Sequence, residues 1–191
     1  NVTQVYGLPC VVAINAFPTD TQAELDLVEK KCNELGVNVA LSEVWAKGGE
    51  GGIALAKEVL NLIELNKEHT YVYDLDMSIK EKINAIATKV YGADGVDYSP
   101  AANKAIAEFE KNGWGNLPIC MAKTQYSFTD DQTKLGRPTG FKITIRDLTV
   151  SVGAGFIVAM TGTIMKMPGL PKVPAAEKID VDINGTISGL F

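Results

Sequence analysis

The sequence predicts a mixed α/β chain: a parallel strand–helix unit, then an α+β unit with antiparallel strands. Two observations carry this. Short apolar runs over Cys10–Ile14 and Val37–Leu41 are each followed by a helical apolar pattern, as in parallel strands buried on both faces. Beyond Phe141 the pattern changes to two-residue alternation, the mark of half-buried antiparallel strands. Hydrophobic residues at 46% and charged residues at 21% of 191 residues allow a real core.

Along the chain, Cys10–Ile14 reads as the first strand and Asn15–Asp20 as its loop, with Pro18 ending the run. Thr21 and Glu24 have capping-box spacing, in which the Thr hydroxyl accepts an early helix N–H and Glu24 reaches back. Leu25, Val28, Cys32 and Leu35 follow at helical spacing, and Gly36 suits the left-handed residue past the helix end. Val37–Leu41 is the second strand, Ser42–Gly52 its loop, and Ile53–Leu65 the next helix. Two strands joined by a helix imply a parallel crossover, so both loops leave the same end of the sheet, where ligands of such folds lie.

Residues 66–71 read as a linker, which divides the chain into expected units 1–65 and 71–191. Ser78 caps a helix expected to run to about Tyr91, ended by Gly92–Gly95. Ser99-Pro100 opens another helix, with Pro at its first position, running to about Asn112. Leu117–Met121 is strand-like. Ile143, Ile145, Leu148, Val150 and Val152 precede a Gly153–Gly155 turn and the run Phe156–Met160. Asn184-Gly185 between two β-like runs predicts a type I′ hairpin.

A net charge of −5, with no basic run, argues against nucleic acid or an anionic membrane as partner. The longest apolar stretches fall far short of the ~20 residues that a membrane helix needs. Cysteines at 10, 32 and 120 form neither CxxC nor an even framework, and no basic-then-apolar leader opens the chain, so a cytoplasmic protein with reduced thiols is expected. His69 is the single histidine. A Ser–His or Cys–His nucleophile or a two-His zinc site has little to build with, and His69 is expected to be a solvated linker residue.

Three segments hold candidate chemistry. Gly48-Gly49-Glu50-Gly51-Gly52 precedes a helix and can present N–H groups to an anion or simply form a turn. It is not a phosphate-binding Gly-Lys-Ser/Thr loop, and none occurs in the chain. Phe17 and Trp45 lie just past neighbouring strand ends. They either pack on the following helices or sandwich a flat heterocycle, with centroids roughly 7–10 Å apart to admit one ring. Ala122–Phe128 with Lys134 and Arg137 is either an anion-meeting loop or a solvated one. The pairs Asp74/Asp76 and Asp130/Asp131 read as capping and solvation rather than metal ligands.

Several stretches together resemble the C-terminal part of formate–tetrahydrofolate ligases: Val12–Thr21, Ala40–Gly52, Met121–Phe128, Met167–Pro171 and the closing Ile187–Phe191. The resemblance covers essentially the whole chain. It implies synthesis of 10-formyltetrahydrofolate from formate, ATP with magnesium, and tetrahydrofolate, through formyl phosphate. It further implies a P-loop-type nucleotide-binding architecture of which residues 1–65 are the end, a homotetramer, and a monovalent cation. By position, Phe17 and Trp45 match an aromatic pair that stacks pterin or adenine, and Asn15 and Ala46 match loop positions near the nucleobase. The phosphate loop of such ligases has no counterpart here, and Asn1–Gly7 begins without Met. The expectation is therefore a C-terminal piece whose partner is the N-terminal portion of the same ligase. The competing readings are a folate- or nucleotide-binding fragment without catalysis, and a regulatory or scaffold protein.

Overall fold

The structure, a computed structural model, describes residues 1–65, 67–164 and 172–189. Strands β1 (Val11–Asn15) and β2 (Asn38–Ser42) pair in parallel, with Val11 opposite Asn38 and Asn15 opposite Ser42. Helix α1 (Gln22–Glu34) joins them. Its capping box forms as the sequence predicts: Glu24 N–H donates to the Thr21 hydroxyl at 3.4 Å, and Thr21 N–H to the Glu24 carboxylate at 2.9 Å. Those bonds from Thr21 hold the Glu24 carboxyl below its ordinary pKa. Gly36 takes φ 70°, the left-handed residue that closes the helix. After β2 come the one-turn helix α2 (Val44–Lys47), a 3₁₀ turn over Gly48–Gly52 and helix α3 (Ile53–Ile63).

The main hydrophobic core lies further along the chain. Helix α4 (Ile79–Ala85) is opened by a second capping box, Ser78 with Glu81, and continues into a π turn over Ile86–Val90. Then follow β3 (Gly95–Tyr98), α5 (Pro100–Lys111), β4 (Ile119–Ala122), β5 (Lys142–Ser151) and β6 (Phe156–Thr161). Ile79, Ile83 and Ala87 from one helical run and Ala102, Ile106 and Phe109 from α5 recur at helical spacing. They pack on Ile143, Ile145, Leu148, Ile157 and Ala159 of the sheet.

The structure adds two features to the sequence expectations, parallel outer strands and a register shift, and corrects a third point. The sheet is mixed, in the order β3-β5-β6-β4: β5 and β6 are antiparallel as expected, but β3 runs parallel to β5 and β4 parallel to β6. The strands after Phe141 thus pair antiparallel as expected, and the parallel pairings that make the sheet mixed come from β3 and β4, which precede it. Strand β3 was hidden between a glycine turn and Ser99-Pro100, with only Val96 and Tyr98 to mark it. The step of three from Ile145 to Leu148 is a register irregularity between Ile145 and Asp147, which returns Leu148 to the core face.

The corrected point is the terminal hairpin of β7 (Asp180–Val181) and β8 (Ile187–Ser188). Asp182 N–H donates to Thr186 O and Gly185 N–H to Asp182 O, which leaves three loop residues, Ile183–Gly185, rather than the two of a type I′ turn. The Asp182 carboxylate, accepting from Thr186 N and Asn184 N at 2.8 Å each, favours this longer form. The Met167–Pro171 stretch of the resemblance, and Leu190 and Phe191, lie outside the described residues.

His69 is exposed but not simply solvated. Its ring stacks on Tyr6 at 5.5 Å and meets Tyr71 edge-on at 4.9 Å, and Thr70 N–H donates to Tyr6 O at 2.9 Å. Cys10, Cys32 and Cys120 are free thiols. Among the described residues no helix is long and apolar enough to cross a membrane.

Lys82 breaks the apolar pattern of α4, since it has no exposed surface at all. Its ammonium donates to Gly115 O at 2.7 Å and Leu117 O at 3.1 Å, the carbonyls that lead the chain into β4. Burial pulls its pKa below the ordinary lysine value, and Asp76 partly opposes that. Lys82→Met removes two charge-assisted bonds and strands two carbonyls, so stability is expected to fall by about 2–3 kcal/mol. Thermal unfolding should register this as a Tm lower by roughly 4–12 °C. An unchanged Tm would show that the bonds are dispensable.

Candidate functional site

The parallel register of β1 and β2 sets Asn15 beside Ser42 at the ends of their strands. Ala16 N–H then donates to Ser42 O at 3.0 Å, which carries the ladder one residue further. The two loops after the strands therefore start side by side, as expected for a parallel pair.

In the first loop the backbone of Phe17 is closed on Asp20. Phe17 N–H donates to the Asp20 carboxylate at 2.8 Å, and Asp20 N–H donates to Phe17 O at 3.0 Å. In the second loop Trp45 rides on α2, and the glycine segment folds back beneath it. Glu43 N–H donates to Gly51 O at 3.0 Å, and Lys47 pairs with Glu43 at 2.7 Å one turn apart. A Cβ on Gly51 would lie 2.5 Å from the Glu43 carbonyl carbon and oxygen, so only glycine permits this approach. The glycines thus serve the turn, the simpler of the two readings of that segment.

The Phe17 and Trp45 rings meet with centroids 6.4 Å apart and planes 47° from parallel. A parallel slot for a flat guest, at roughly 7–10 Å, is not present. Two exposed rings with no guest gain by covering each other, and the tilt is an ordinary aromatic geometry. They stay accessible: Phe17 is 47% and Trp45 66% exposed, which puts neither in the core. Asn15 ends β1 and Ala46 follows Trp45 in α2, both with exposed side chains at this same end.

The loop after β4 is ordered from within. The Lys123 ammonium donates to Thr124 O at 2.8 Å, Ser127 O, and Thr129 O at 3.1 Å, and lies 5.1 Å from the Tyr91 ring centroid. Burial lowers its pKa, with Asp130 opposing. Three carbonyls occupy the three donors of an ammonium, so Lys123 holds the loop together rather than meeting an anion. Ser127 donates to Lys134 O at 2.6 Å, while Gln125, Lys134 and Arg137 are exposed. Asp130 accepts from Thr144 N at 2.8 Å and Asp131 from Thr133, as befits capping residues. Among the described residues no three His, Cys, Asp or Glu side chains gather to hold a metal ion.

Sequence reasoning missed the Asp20 closure and the role of Gly51. The first had a signal, an Asp three residues after Phe17 across a Pro; the second depends on a fold-back that no local pattern reveals. Gly51→Ala is expected to displace α2 and cost about 1–3 kcal/mol through overpacking. Gly49→Ala, whose Cβ meets nothing within 4 Å, is the control. Thermal unfolding and Trp45 emission, read in a Trp114→Phe background, should change for the first and not the second. Equal behaviour would dismiss the close approach as a constraint.

With this geometry in place, comparison with known families is informative. The family model described as formate–tetrahydrofolate ligase matches residues 1–191, the full length given. The match runs through both strand-end loops and through the Lys123 loop, the stretches that carried the resemblance. The chain belongs to the formate–tetrahydrofolate ligase family.

Proposed function

We propose that this chain supplies the ring-binding loops of a formate–tetrahydrofolate ligase. In that reaction a formate oxygen attacks the terminal phosphorus of ATP, and ADP leaves. A tetrahydrofolate nitrogen then attacks the resulting formyl phosphate, and phosphate leaves to give 10-formyltetrahydrofolate. Residues 1–65 act as the loop-bearing end of a P-loop-type architecture, and residues 71–191 as the α+β unit behind it. The N-terminal portion of the same ligase and further copies of the assembly, up to a homotetramer in the cytoplasm, are the partners in this reading.

The observation that carries it is a pair of exposed aromatic rings at adjoining parallel strand ends. Such rings offer a flat apolar face where a pterin or adenine gains by stacking and loses water. Neither side chain is confined by the core, so the rings can part by rotation to admit a guest. Asn15 and Ala46 border that guest on the nucleobase side. Among the described residues no three His, Cys, Asp or Glu side chains gather as a magnesium site would require, so in this reading ATP-bound magnesium belongs with the phosphate loop and no step is routed through a cation at these residues.

Base–aromatic stacking is worth about 1–3 kcal/mol per ring. In the full ligase, Trp45→Ala is therefore expected to raise the dissociation constant for tetrahydrofolate or nucleotide by roughly 5- to 150-fold. Thermal unfolding of the same variant should change little. Truncation of a core aromatic instead costs about 3–5 kcal/mol, so lost stability with unchanged affinity would return Trp45 to a packing role.

The chain of 191 residues by itself contains no Gly-Lys-Ser/Thr loop, the usual cradle for ATP phosphates. It is expected to release no ADP in a formate-dependent manner. Release above a blank would contradict this. It would also separate the ligase-piece reading from one in which these residues hold a complete active site.

A further inference from the structure

We infer that Asp20 is a positioning residue for ring binding: it fixes the direction of the Phe17 ring through the Phe17 backbone. This deepens the reading of the Phe17–Trp45 pair above and rests on it.

The backbone between β1 and α1 is tied at three points. Ala16 is tied to β2 through Ser42, Thr21 is tied to Glu24 at the start of α1, and the stretch between them is closed by Asp20. Both polar backbone groups of Phe17 bond to Asp20: its N–H to the carboxylate at 2.8 Å, and its carbonyl to the Asp20 N–H at 3.0 Å. Pro18 follows, with φ locked and no N–H to offer elsewhere. The ring itself is 47% exposed, so core packing does not aim it. What aims an exposed ring on a loop is the backbone from which it projects. Here that backbone is held by the carboxylate and the N–H of one residue, Asp20, which is itself exposed.

The function of such a closure is preorganisation. A ring whose backbone is already fixed has only its side-chain rotation left to lose when a guest arrives, and leaving further freedom to be immobilised weakens binding by about two- to tenfold. Asp20 touches no guest in this arrangement. Its removal therefore weakens entry of the guest without altering the step that follows.

The test uses the full ligase with tetrahydrofolate and ADP as titrants, and KM and kcat measured with tetrahydrofolate and ATP varied in turn. Asp20→Ala is expected to raise by roughly two- to tenfold the dissociation constant and KM of the same ligand that Trp45→Ala weakens. The kcat at saturation should stay within about twofold of the parent, because a bound guest holds the ring. Asp20→Asn keeps an acceptor at the same place and should restore the parent affinity. Asp20→Glu keeps the charge but moves the acceptor by a methylene, so it should resemble Ala, and it carries the comparison if the Ala variant does not fold.

Two results overturn the inference alone: unchanged affinity in Asp20→Ala while Trp45→Ala is weakened, or an Asn variant as weak as Ala. The second would mean that charge near the α1 N-terminus matters rather than the closure. Unchanged affinity in Trp45→Ala as well removes the reading of the aromatic pair, and this inference with it.

Discussion

The constraint on which the candidate site depends is the in-register parallel pairing of β1 and β2. Because Asn15 ends opposite Ser42, the loops after the two strands emerge as neighbours, although their aromatic residues are 28 positions apart in sequence. In an antiparallel pair the end of one strand lies beside the start of the other, so the two following loops would leave at opposite ends. Each loop is then closed by its own local device. Asp20 secures the Phe17 backbone, and the approach of Gly51 to Glu43 secures the turn that carries Trp45. Strand direction brings the rings together; backbone closures give each its aim.

The larger sheet shows a different balance. There, burial does most of the work, and the polar exception is the one that organises the connection. Lys82 gives its charge to carbonyls in the segment between α5 and β4. It thereby ties the start of a sheet strand to the helix that covers the sheet. Lys123 uses the same chemistry to fold the loop at the other end of β4. A lysine that spends its donors on backbone carbonyls, two for Lys82 and three for Lys123, is a connector, and both lysines are held below their ordinary pKa by burial.

What was legible in the sequence was local. The Thr21–Glu24 capping box, the Ser78 cap, the Pro100 start of α5 and the left-handed Gly36 are written in spacings of a few residues, and all formed. The aromatic residues of the site were placed correctly at strand ends, because a strand end is also a local signal. The antiparallel pair β5–β6 was legible, but the parallel direction of the outer strands was not, since β3 finds β5 and β4 finds β6 across tens of residues. Nor was the collapse of Phe17 onto Trp45, which depends on side-chain directions set by two separate closures. Lys82 lay in plain view at three residues from Ile79 and next to Ile83. Charge is usually read as exposure, and here its partners were backbone atoms far along the chain.

The contact between Phe17 and Trp45 has a thermodynamic consequence. Each ring already hides part of its apolar face against the other. On the proposed stacking, a flat guest that separates them would remove its own two faces from water, but the part of each ring that faces the other was covered beforehand. Heat capacity follows the change in hydrated apolar area. The heat-capacity decrement of such binding would therefore be smaller than the area of the filled sandwich implies, by the share of ring surface already covered. The enthalpy would carry the cost of breaking one ring contact to make two, so the calorimetric signature of stacking at this pair would depend on both rings.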